Sequence, residues 1–322
     1  MSNKNSRLYN YIDIDVTTAQ KLLAEYDKSI EIDKLELIPQ GMSTSNYIVY
    51  TKDSQIKYLL KIYPESGGNS QIEVSSYRYA KEYINVPNIY FFDDRKTVYN
   101  RAYVIMDYID GITLKKYIIK NKKFPKDIVY DIASSLASLH NREYESRGLL
   151  NKNLNIQEIL PPIKTLYKKN LNSFAGDHIN SEIKKDILDF IEENQDMLKK
   201  MDSQFVYSHG DFHPSNILID NSDTPWFIDF EYSLSSSRYL DIGKFFRDRP
   251  AIDKYRTQDV YDNFFKGYNS SAKQPLSSDW IKLARLIDIV AMLGLINKKK
   301  VPDKWVKEIE ESIIKTMGIL KD

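Results

Sequence analysis

Several features are missing from this 322-residue chain, beginning with cysteine, of which it has none. Disulfide bonds and thiolate chemistry are therefore excluded, and the absence fits a reducing compartment. The N-terminal segment MSNKNSRLYNYID has no apolar signal core. The longest apolar stretch, Leu283–Ile296, contains Arg285 and Asp288 and is too short to span a bilayer. We therefore expect a cytoplasmic protein that does not enter a membrane.

A dominant charge of either sign is also missing. The 46 Lys and Arg residues nearly balance the 45 Asp and Glu residues, for a net charge of +1. Composition thus gives no reason to expect nucleic acid or an anionic membrane surface as a partner, and it implies no protein partner. The chain is long enough for one large domain or two lobes with a sizeable core.

The segment from Tyr207 to Tyr232, YSHGDFHPSNILIDNSDTPWFIDFEY, is the most informative part of what is present. Within it, Asp211, Asn216 and Asp229 follow the order of the kinase pattern H-R-D-x-x-x-x-N with a later metal-binding Asp. Phosphoryl transfer needs such a set: one carboxylate orients and deprotonates a hydroxyl, while an amide and a second carboxylate hold magnesium. The segment predicts Asp211 as the catalytic base, and Asn216 and Asp229 as Mg²⁺ ligands.

A zinc hydrolase is an alternative interpretation of the same segment. His209, Asp211 and His213 alternate, so on an extended chain all three could face one side and bind zinc. Pro214 instead suggests that the chain turns here, and only two other histidines exist in the sequence.

Hydrophobic periodicity divides the chain into two parts. An opening amphipathic helix, strand-like runs and a second helical stretch, at about residues 70–83, precede Gly111. After Gly111 the pattern becomes mostly helical, with helices predicted over residues 155–170 and 180–200 among others. Strands first and helices second predict an α+β architecture.

The motif HGDFHPSN, followed by a hydrophobic run that ends in IDFE, resembles that of the aminoglycoside phosphotransferase and choline kinase family. This resemblance implies a bilobal, protein-kinase-like fold, with a small β-sheet lobe for the nucleotide at residues 1–107 and a mostly helical catalytic and substrate lobe at residues 108–322. It also implies ATP (with GTP as another possible donor), Mg²⁺ and a small-molecule hydroxyl acceptor. A nucleotide-binding pseudokinase scaffold is the alternative that involves no catalysis.

Lys61, in the strand-like run YLLKIY, resembles the strand-borne lysine of kinases. Such a cation contacts the nucleotide phosphates and pairs with a helix glutamate, for which Glu73 is the best positioned candidate and Glu82 the second. The alternative is a lysine that simply points outward from the sheet. The loop of residues 40–46 resembles the family's phosphate loop, with Ser43 and Ser45 as expected contacts, although it has one glycine and could be a plain hairpin turn.

Residues Asp107–Gly111 are the expected hinge between the two lobes. The resemblance further implies that the Asp107 carbonyl and the Ile109 N–H in this hinge form hydrogen bonds with the edge of the adenine ring. Only eleven residues separate Asp229 from Asp241, which leaves no room for a long activation loop and favours small-molecule acceptors over peptides. Asp241 is expected to cap a helix and to brace the catalytic loop.

Glu231 follows Asp229 by two residues and should face the same side of an extended segment. A half-buried carboxylate there needs a partner, and we expect it to hold an amine of the acceptor. Pairing with Arg238 or assistance to the metal is the alternative. The expected acceptor is therefore cationic, an aminoglycoside-like compound or an amino alcohol, although the chain after residue 110 has no acidic excess that would attract a polycation.

Overall fold

The computed structural model describes residues 10–39, 43–52, 56–66 and 68–321. Its N-terminal part forms one antiparallel five-stranded sheet in the order β1-β2-β3-β5-β4. The elements of this part are α1 (Val16–Ala24), β1 (Ile32–Ile38), β2 (Ser45–Thr51), β3 (Lys57–Ile62), α2 (Ser70–Ala80), β4 (Ile89–Asp93) and β5 (Tyr103–Asp107).

Helices cover both faces of this sheet. Leu22 of α1 packs in one core cluster with Leu60 and Ile62 of β3, whereas Val74 of α2 belongs to a different cluster. Because side chains alternate along a strand, Lys61 points to the face opposite Leu60 and Ile62, toward α2. The alternation of β3 therefore places Lys61 inside the protein, where it is 5% exposed.

The rest of the chain is mostly helical and also contains two small sheets, in the orders β7-β10-β13-β8-β9 and β12-β11-β6. Its elements are β6 (Gly111–Thr113), α3 (Leu114–Asn121), α4 (Lys126–His140), β7 (Glu143–Tyr144), β8 (Gly148–Leu150), β9 (Ile156–Ile159), α5 (Ile163–Leu171), α6 (Phe174–His178), α7 (Ser181–Glu193), α8 (Gln195–Met201), β10 (Phe205–Ser208), β11 (Ile217–Asp220), β12 (Pro225–Phe227), β13 (Leu234–Ser237), α9 (Tyr239–Phe246), α10 (Pro250–Asp253), α11 (Gln258–Ser271), α12 (Trp280–Ile296) and α13 (Asp303–Lys321). The predicted α+β class is confirmed.

Two predicted helices differ from the structure. The helix predicted over 155–170 is wrong in its first half, because residues 156–159 form β9 and α5 begins only at Ile163. Pro161 and Pro162 explain the difference, since proline lacks the N–H that a helix interior requires and its ring clashes with the preceding turn. The helix predicted over 180–200 is divided at Asn194, whose Nδ2 donates to the Phe190 carbonyl at 2.9 Å.

The hinge connects the large sheet directly to the catalytic segment. After β5 the chain passes into β6, which pairs with β11 so that Thr113 lies opposite Leu218. Gly111 is required at this junction, because a Cβ there would lie 2.6 Å from the Ile219 carbonyl oxygen. In the described ranges, no helix has the length and apolarity needed to cross a membrane.

Candidate active site

The loop between β10 and β11, residues 209–216, carries Asp211. Gly210 begins the loop with a φ of +79°, and a Cβ there would lie 1.9 Å from the Tyr232 carbonyl oxygen, so only glycine fits. The Asp211 carboxylate accepts a hydrogen bond from Asn216 Nδ2 at 3.0 Å. His213 Nε2 lies 3.2 Å from Oδ2, and Lys244 Nζ lies 3.4 Å from Oδ1.

These neighbours decide the charge of Asp211. Burial alone would raise its pKa, but the hydrogen bond from His213 and the positive charge of Lys244 outweigh burial and hold the pKa well below its usual range. Asp211 is therefore ionised and able to accept a hydrogen bond from an acceptor hydroxyl. Because so acidic a group is a weak base, Asp211 in its predicted role would orient the hydroxyl first and take its proton only as the oxygen becomes more acidic during reaction.

Asn216 and Asp229 offer the oxygen atoms that magnesium prefers. Nδ2 of Asn216 donates to both the carbonyl and the carboxylate of Asp211, at 3.0 Å each. This pairing leaves the amide oxygen of Asn216 available as a metal ligand. Asp229 adopts a φ of +70° just after β12, and its N–H donates to Tyr77 Oη at 2.9 Å. The donor set fits Mg²⁺, which commonly takes one or two protein oxygens besides phosphate and water.

Lys61 connects the large sheet to Asp229. Its Nζ lies 2.6 Å from Glu73 Oε1 and 3.1 Å from Asp229 Oδ1, and Tyr63 Oη donates to Glu73 Oε2 at 2.7 Å. Burial by itself would lower the pKa of Lys61, but Asp229 and Glu73 outweigh it and raise the pKa well above the usual value. The structure thus pairs Lys61 with the glutamate expected from the sequence and keeps the lysine charged. The alternative of an outward-pointing lysine is wrong.

Glu231 lies at the boundary between the two parts of the protein. Ser43 Oγ donates to its carboxylate at 3.2 Å, and Asn69 Nδ2 donates to its backbone carbonyl at 2.8 Å. Burial, followed by repulsion from Asp229, raises the pKa of Glu231 to about 7. The alternative pairing with Arg238 is wrong, because that guanidinium donates to Gln204 and Gln274.

The other residues predicted to contact the nucleotide are those of the phosphate loop and the hinge. Ser45 begins β2 fully buried, and its Oγ accepts from the Ile12 N–H at 2.8 Å, so the structure does not bring it to the cluster. The Asp107 side chain accepts from the Asn88 N–H at 2.8 Å and ties the hinge to β4. The Ile109 N–H has no backbone acceptor among the residues that the structure describes. Contacts of these groups with a nucleotide stay predictions. Residues 40–42 of the expected phosphate loop lie outside the described ranges.

Asp241 braces the loop from α9, as expected. Its carboxylate accepts from the backbone N–H groups of His209 at 2.8 Å and Gly210 at 2.9 Å, and from His140 Nε2 at 3.1 Å. It does not cap a helix, because α9 begins two residues earlier with Arg238 at the N-cap position.

The zinc interpretation does not fit His209. One ring nitrogen lies 3.1 Å from the Ile228 carbonyl, and the other accepts from the Asp211 N–H at 3.2 Å. Since both nitrogens are used, His209 has no lone pair to offer a metal. Nor do His, Asp and Glu side chains in the described ranges form a group of three that could bind a metal ion.

Lys244 is the main site residue that the sequence did not reveal. It lies on α9, three residues after Asp241, so the two side chains share the helix face that meets the loop. Its Nζ donates to the Gly210 carbonyl and lies beside Asp211. The i, i+3 spacing from Asp241 was the available signal, but Asp211 and Lys244 are 33 residues apart and only folding brings them together.

Known proteins share parts of this sequence and its fold. A family model described as APH, phosphotransferase enzyme family, matches residues 34–274. A thermostable mutant of aminoglycoside phosphotransferase APH(4)-Ia, in ternary complex with AMP-PNP and hygromycin B, superposes with a TM-score of 0.64 and 13% identity over 93% of this chain and 98% of that one. Choline kinase LicA from Streptococcus pneumoniae gives a TM-score of 0.60 and 17% identity over 94% and 99%.

A curated relative matches over a shorter region. The probable serine/threonine-protein kinase PknB of Lactococcus lactis is 25% identical over 104 residues, which are 31% of this chain and only 16% of that protein. The solved structures are too distant in sequence to show more than the fold, and they confirm the predicted protein-kinase-like fold.

Proposed function

The chain belongs to the phosphotransferase enzyme family, and we propose that it transfers the γ-phosphoryl group of ATP to a hydroxyl of a small molecule. The proposal is supported by two neighbouring pairs, Lys61 with Asp229 and Asn216 with Asp211. The pairing of β11 with β12 and the bond from the Ile228 N–H to the Asn216 carbonyl bring the two pairs together. GTP is the other donor that this arrangement would serve. The proposed location is the cytoplasm, where nucleoside triphosphates are made and used.

In the proposed reaction the acceptor hydroxyl oxygen forms a bond to the γ-phosphorus of ATP. The bond from that phosphorus to the β–γ bridging oxygen breaks, and ADP leaves with the electron pair. The hydroxyl proton passes to Asp211. Lys61, held charged between Glu73 and Asp229, contacts the nucleotide phosphates and offsets their charge.

Magnesium, when bound by Asn216 and Asp229, would supply charge neutralisation at the phosphates. The chain itself does the positioning. Tyr77 holds the Asp229 backbone, and Asn216 fixes the Asp211 carboxylate. Such pre-arranged contacts lower the barrier because little reorganisation remains when the reactants meet.

For the acceptor we propose a small alcohol that carries an amine, an amino alcohol or an aminoglycoside-like compound. Glu231 is half-buried and close to Asp229, and no Lys or Arg pairs with it in the described part of the chain. A cation placed there would relieve the repulsion that raises the pKa of Glu231. APH(4)-Ia is recorded in complex with hygromycin B, and LicA is a choline kinase, so acceptors of this kind occur on the same fold.

A two-step experiment tests the reaction. First, thermal unfolding is followed with ATP or GTP, each with and without Mg²⁺, and we expect stabilisation that requires the metal. Second, ADP release is measured across a library of hydroxyl compounds, followed by mass analysis for a gain of one phosphoryl group. Stabilisation without any phosphorylated product would favour the pseudokinase scaffold, and no stabilisation by either nucleotide would refute the proposal.

Glu231→Gln tests the amine contact. The substitution removes the charge but keeps the size, so the acceptor KM should rise far more than the ATP KM. Glu158→Gln on exposed β9 is the matched control and should change neither constant. Equal changes of both constants in Glu231→Gln, or a library in which only neutral sugars react, would leave Glu231 as a structural carboxylate.

A further inference from the structure

Basic side chains gather where α9 ends, beside the loop that carries Asp211. Two of them are paired with carboxylates. Arg247 contacts Asp288 through two nitrogens, with Nη2 at 2.6 Å from Oδ1 and Nε at 3.0 Å from Oδ2. Arg256 Nη2 lies 3.0 Å from Asp253. These two guanidinium groups are neutralised within the protein and need no ligand.

Arg249 is different, because it has no ion-pair partner among the described residues. Its Nη1 donates to the carbonyls of Lys244 at 3.0 Å and Arg247 at 3.3 Å. Its Nε and Nη2 have no protein acceptor in the same ranges. Burial, together with repulsion from Arg247, lowers the pKa of Arg249 to about 10, while the charges of Asp288 and, less strongly, Asp211 act in the opposite direction. The guanidinium contacts the backbone of Lys244, the residue whose Nζ lies 3.4 Å from Asp211 Oδ1.

Lys244 connects this unpaired guanidinium to the reacting centre. Its carbonyl accepts from Arg249, and its Nζ contacts the Gly210 carbonyl and Asp211 Oδ1. An ammonium has three N–H donors, so at least one remains for a ligand. Lys244 and Arg249 thus present unused donors and a surplus positive charge next to the position that the acceptor must occupy.

We propose that Lys244 and Arg249 form an anion-binding subsite of the acceptor pocket, so that the acceptor carries a carboxylate or phosphate group near its reacting hydroxyl. The inference rests on the proposed phosphotransferase function and deepens it. With an amine at Glu231 and an acidic group at this subsite, the acceptor is a hydroxylated zwitterion. The carbonyl groups at the end of α9 occupy only Nη1 of Arg249. A partly buried cation without an ion-pair partner is costly, so an anionic ligand would stabilise this guanidinium.

The same donors could instead meet the phosphoryl group during its transfer. Thermal unfolding with malonate, a dicarboxylate probe, separates the two sources when AMP-PNP and Mg²⁺ already fill the γ-phosphate position. We expect malonate to raise the Tm of the wild type under these conditions, and to raise it less in Arg249→Met and in Lys244→Met. Lys266→Met, which removes an exposed cation of α11, is the matched control and should respond like the wild type.

Two results of this binding experiment would overturn the inference. One is a malonate effect that disappears when AMP-PNP is bound, because the subsite would then belong to the transferred phosphoryl group. The other is an equal malonate effect in the wild type and both site variants. Failure of AMP-PNP with Mg²⁺ to stabilise the wild type would count against the proposed function itself and is recognised separately.

Matched acceptor pairs test the substrate class directly. L-serine differs from ethanolamine by a carboxylate, and D-glycerate differs from glycerol in the same way. We expect the acidic member of a pair to show a higher kcat/KM by roughly tenfold or more, the size of one good charge-assisted contact. Arg249→Met should remove this preference, whereas preference for the uncharged or cationic member in the wild type would refute the acidic acceptor.

Discussion

The protein contains two groups of ionisable side chains, one around Asp241 and one around Asp229 and Glu231, and they are built in opposite ways. Around Asp241, donors and acceptors are matched: the carboxylate receives two backbone N–H groups and His140, whose other nitrogen is 2.8 Å from Tyr268 Oη. In the second group, the carboxylates of Asp229 and Glu231 repel each other, and each has few partners. Lys61 Nζ lies 3.1 Å from Asp229, and Ser43 Oγ donates to Glu231. The matched group fixes the backbone of His209 and Gly210, whereas the unmatched group is the one that we propose binds metal, phosphate and acceptor.

This contrast makes distinct predictions for the two groups. Substitution of Glu231 should cost little stability, because Asp229 repels its charge. Replacing Asp211 or Asp229 also removes a contact with Lys244 or Lys61, but it should lower activity far more than stability. Substitutions around Asp241 should lower stability first.

Asp229→Asn should have the largest effect on activity. Asparagine tolerates the φ of +70° at this position, so the fold should persist while a charged metal ligand is lost. Loss of metal binding costs several kcal/mol of charge stabilisation, which should lower turnover by roughly 10⁴-fold or more. Mg²⁺-dependent thermal stabilisation by ATP should vanish as well. If ATP with Mg²⁺ protects Asp229→Asn as well as it protects the wild type, the metal role of Asp229 is wrong; Asp186→Asn, exposed on α7, is the control.

Asp211→Asn should keep the fold and nucleotide binding while lowering turnover by roughly 10²–10⁴-fold, the range for loss of a general base. The amide can still receive the hydroxyl hydrogen bond but cannot accept the proton. Steady-state turnover, once an acceptor is known, is compared with ATP-dependent thermal stabilisation. Near-normal turnover would remove Asp211 from the chemistry.

Asp241→Asn should act mainly on stability. The amide has one acceptor atom fewer for two backbone N–H groups and His140, so one buried donor loses its partner at a cost of about 1–3 kcal/mol. Urea unfolding measures the loss. Asp262→Asn, exposed on α11, should change the free energy of unfolding by less than about 0.5 kcal/mol. An equally small change in Asp241→Asn would show that the brace is not a source of stability.

The smallest expected effect is the pH dependence that the brace introduces. Burial lowers the pKa of His140, and Asp241 opposes it only in part. The folded state therefore binds fewer protons than the unfolded state, whose histidine titrates near pH ~6.5, and stability is lost as the pH falls below that value. His209 shifts in the same direction because of burial. Unfolding free energies of His140→Gln should fall less steeply between pH 7 and pH 5, and identical slopes would contradict the buried neutral histidine.

Much of the cleft could be predicted because its residues are close in sequence or tied to periodicity. Asp211, Asn216 and Asp229 lie within nineteen residues, and their order alone indicates phosphoryl transfer. The position of Lys61 in a strand indicated that its side chain projects from one face of the sheet. Glu73, in the first turn of the next helix, could therefore be predicted as its partner. The helix predicted across Pro161 and Pro162 failed because apolar periodicity was given more weight than the missing N–H groups.

The sequence by itself determined the fold class, the family and the order of the phosphate-handling groups, since these depend on local spacing along the chain. Only the tertiary structure decided which charges meet. It moved Arg238 away from Glu231, turned Ser45 toward Ile12 and brought Lys244 to Asp211. Side-chain charges interact over a few ångströms in space irrespective of their separation in sequence, so the electrostatics of the acceptor side could be known only after the two parts of the protein were folded against each other.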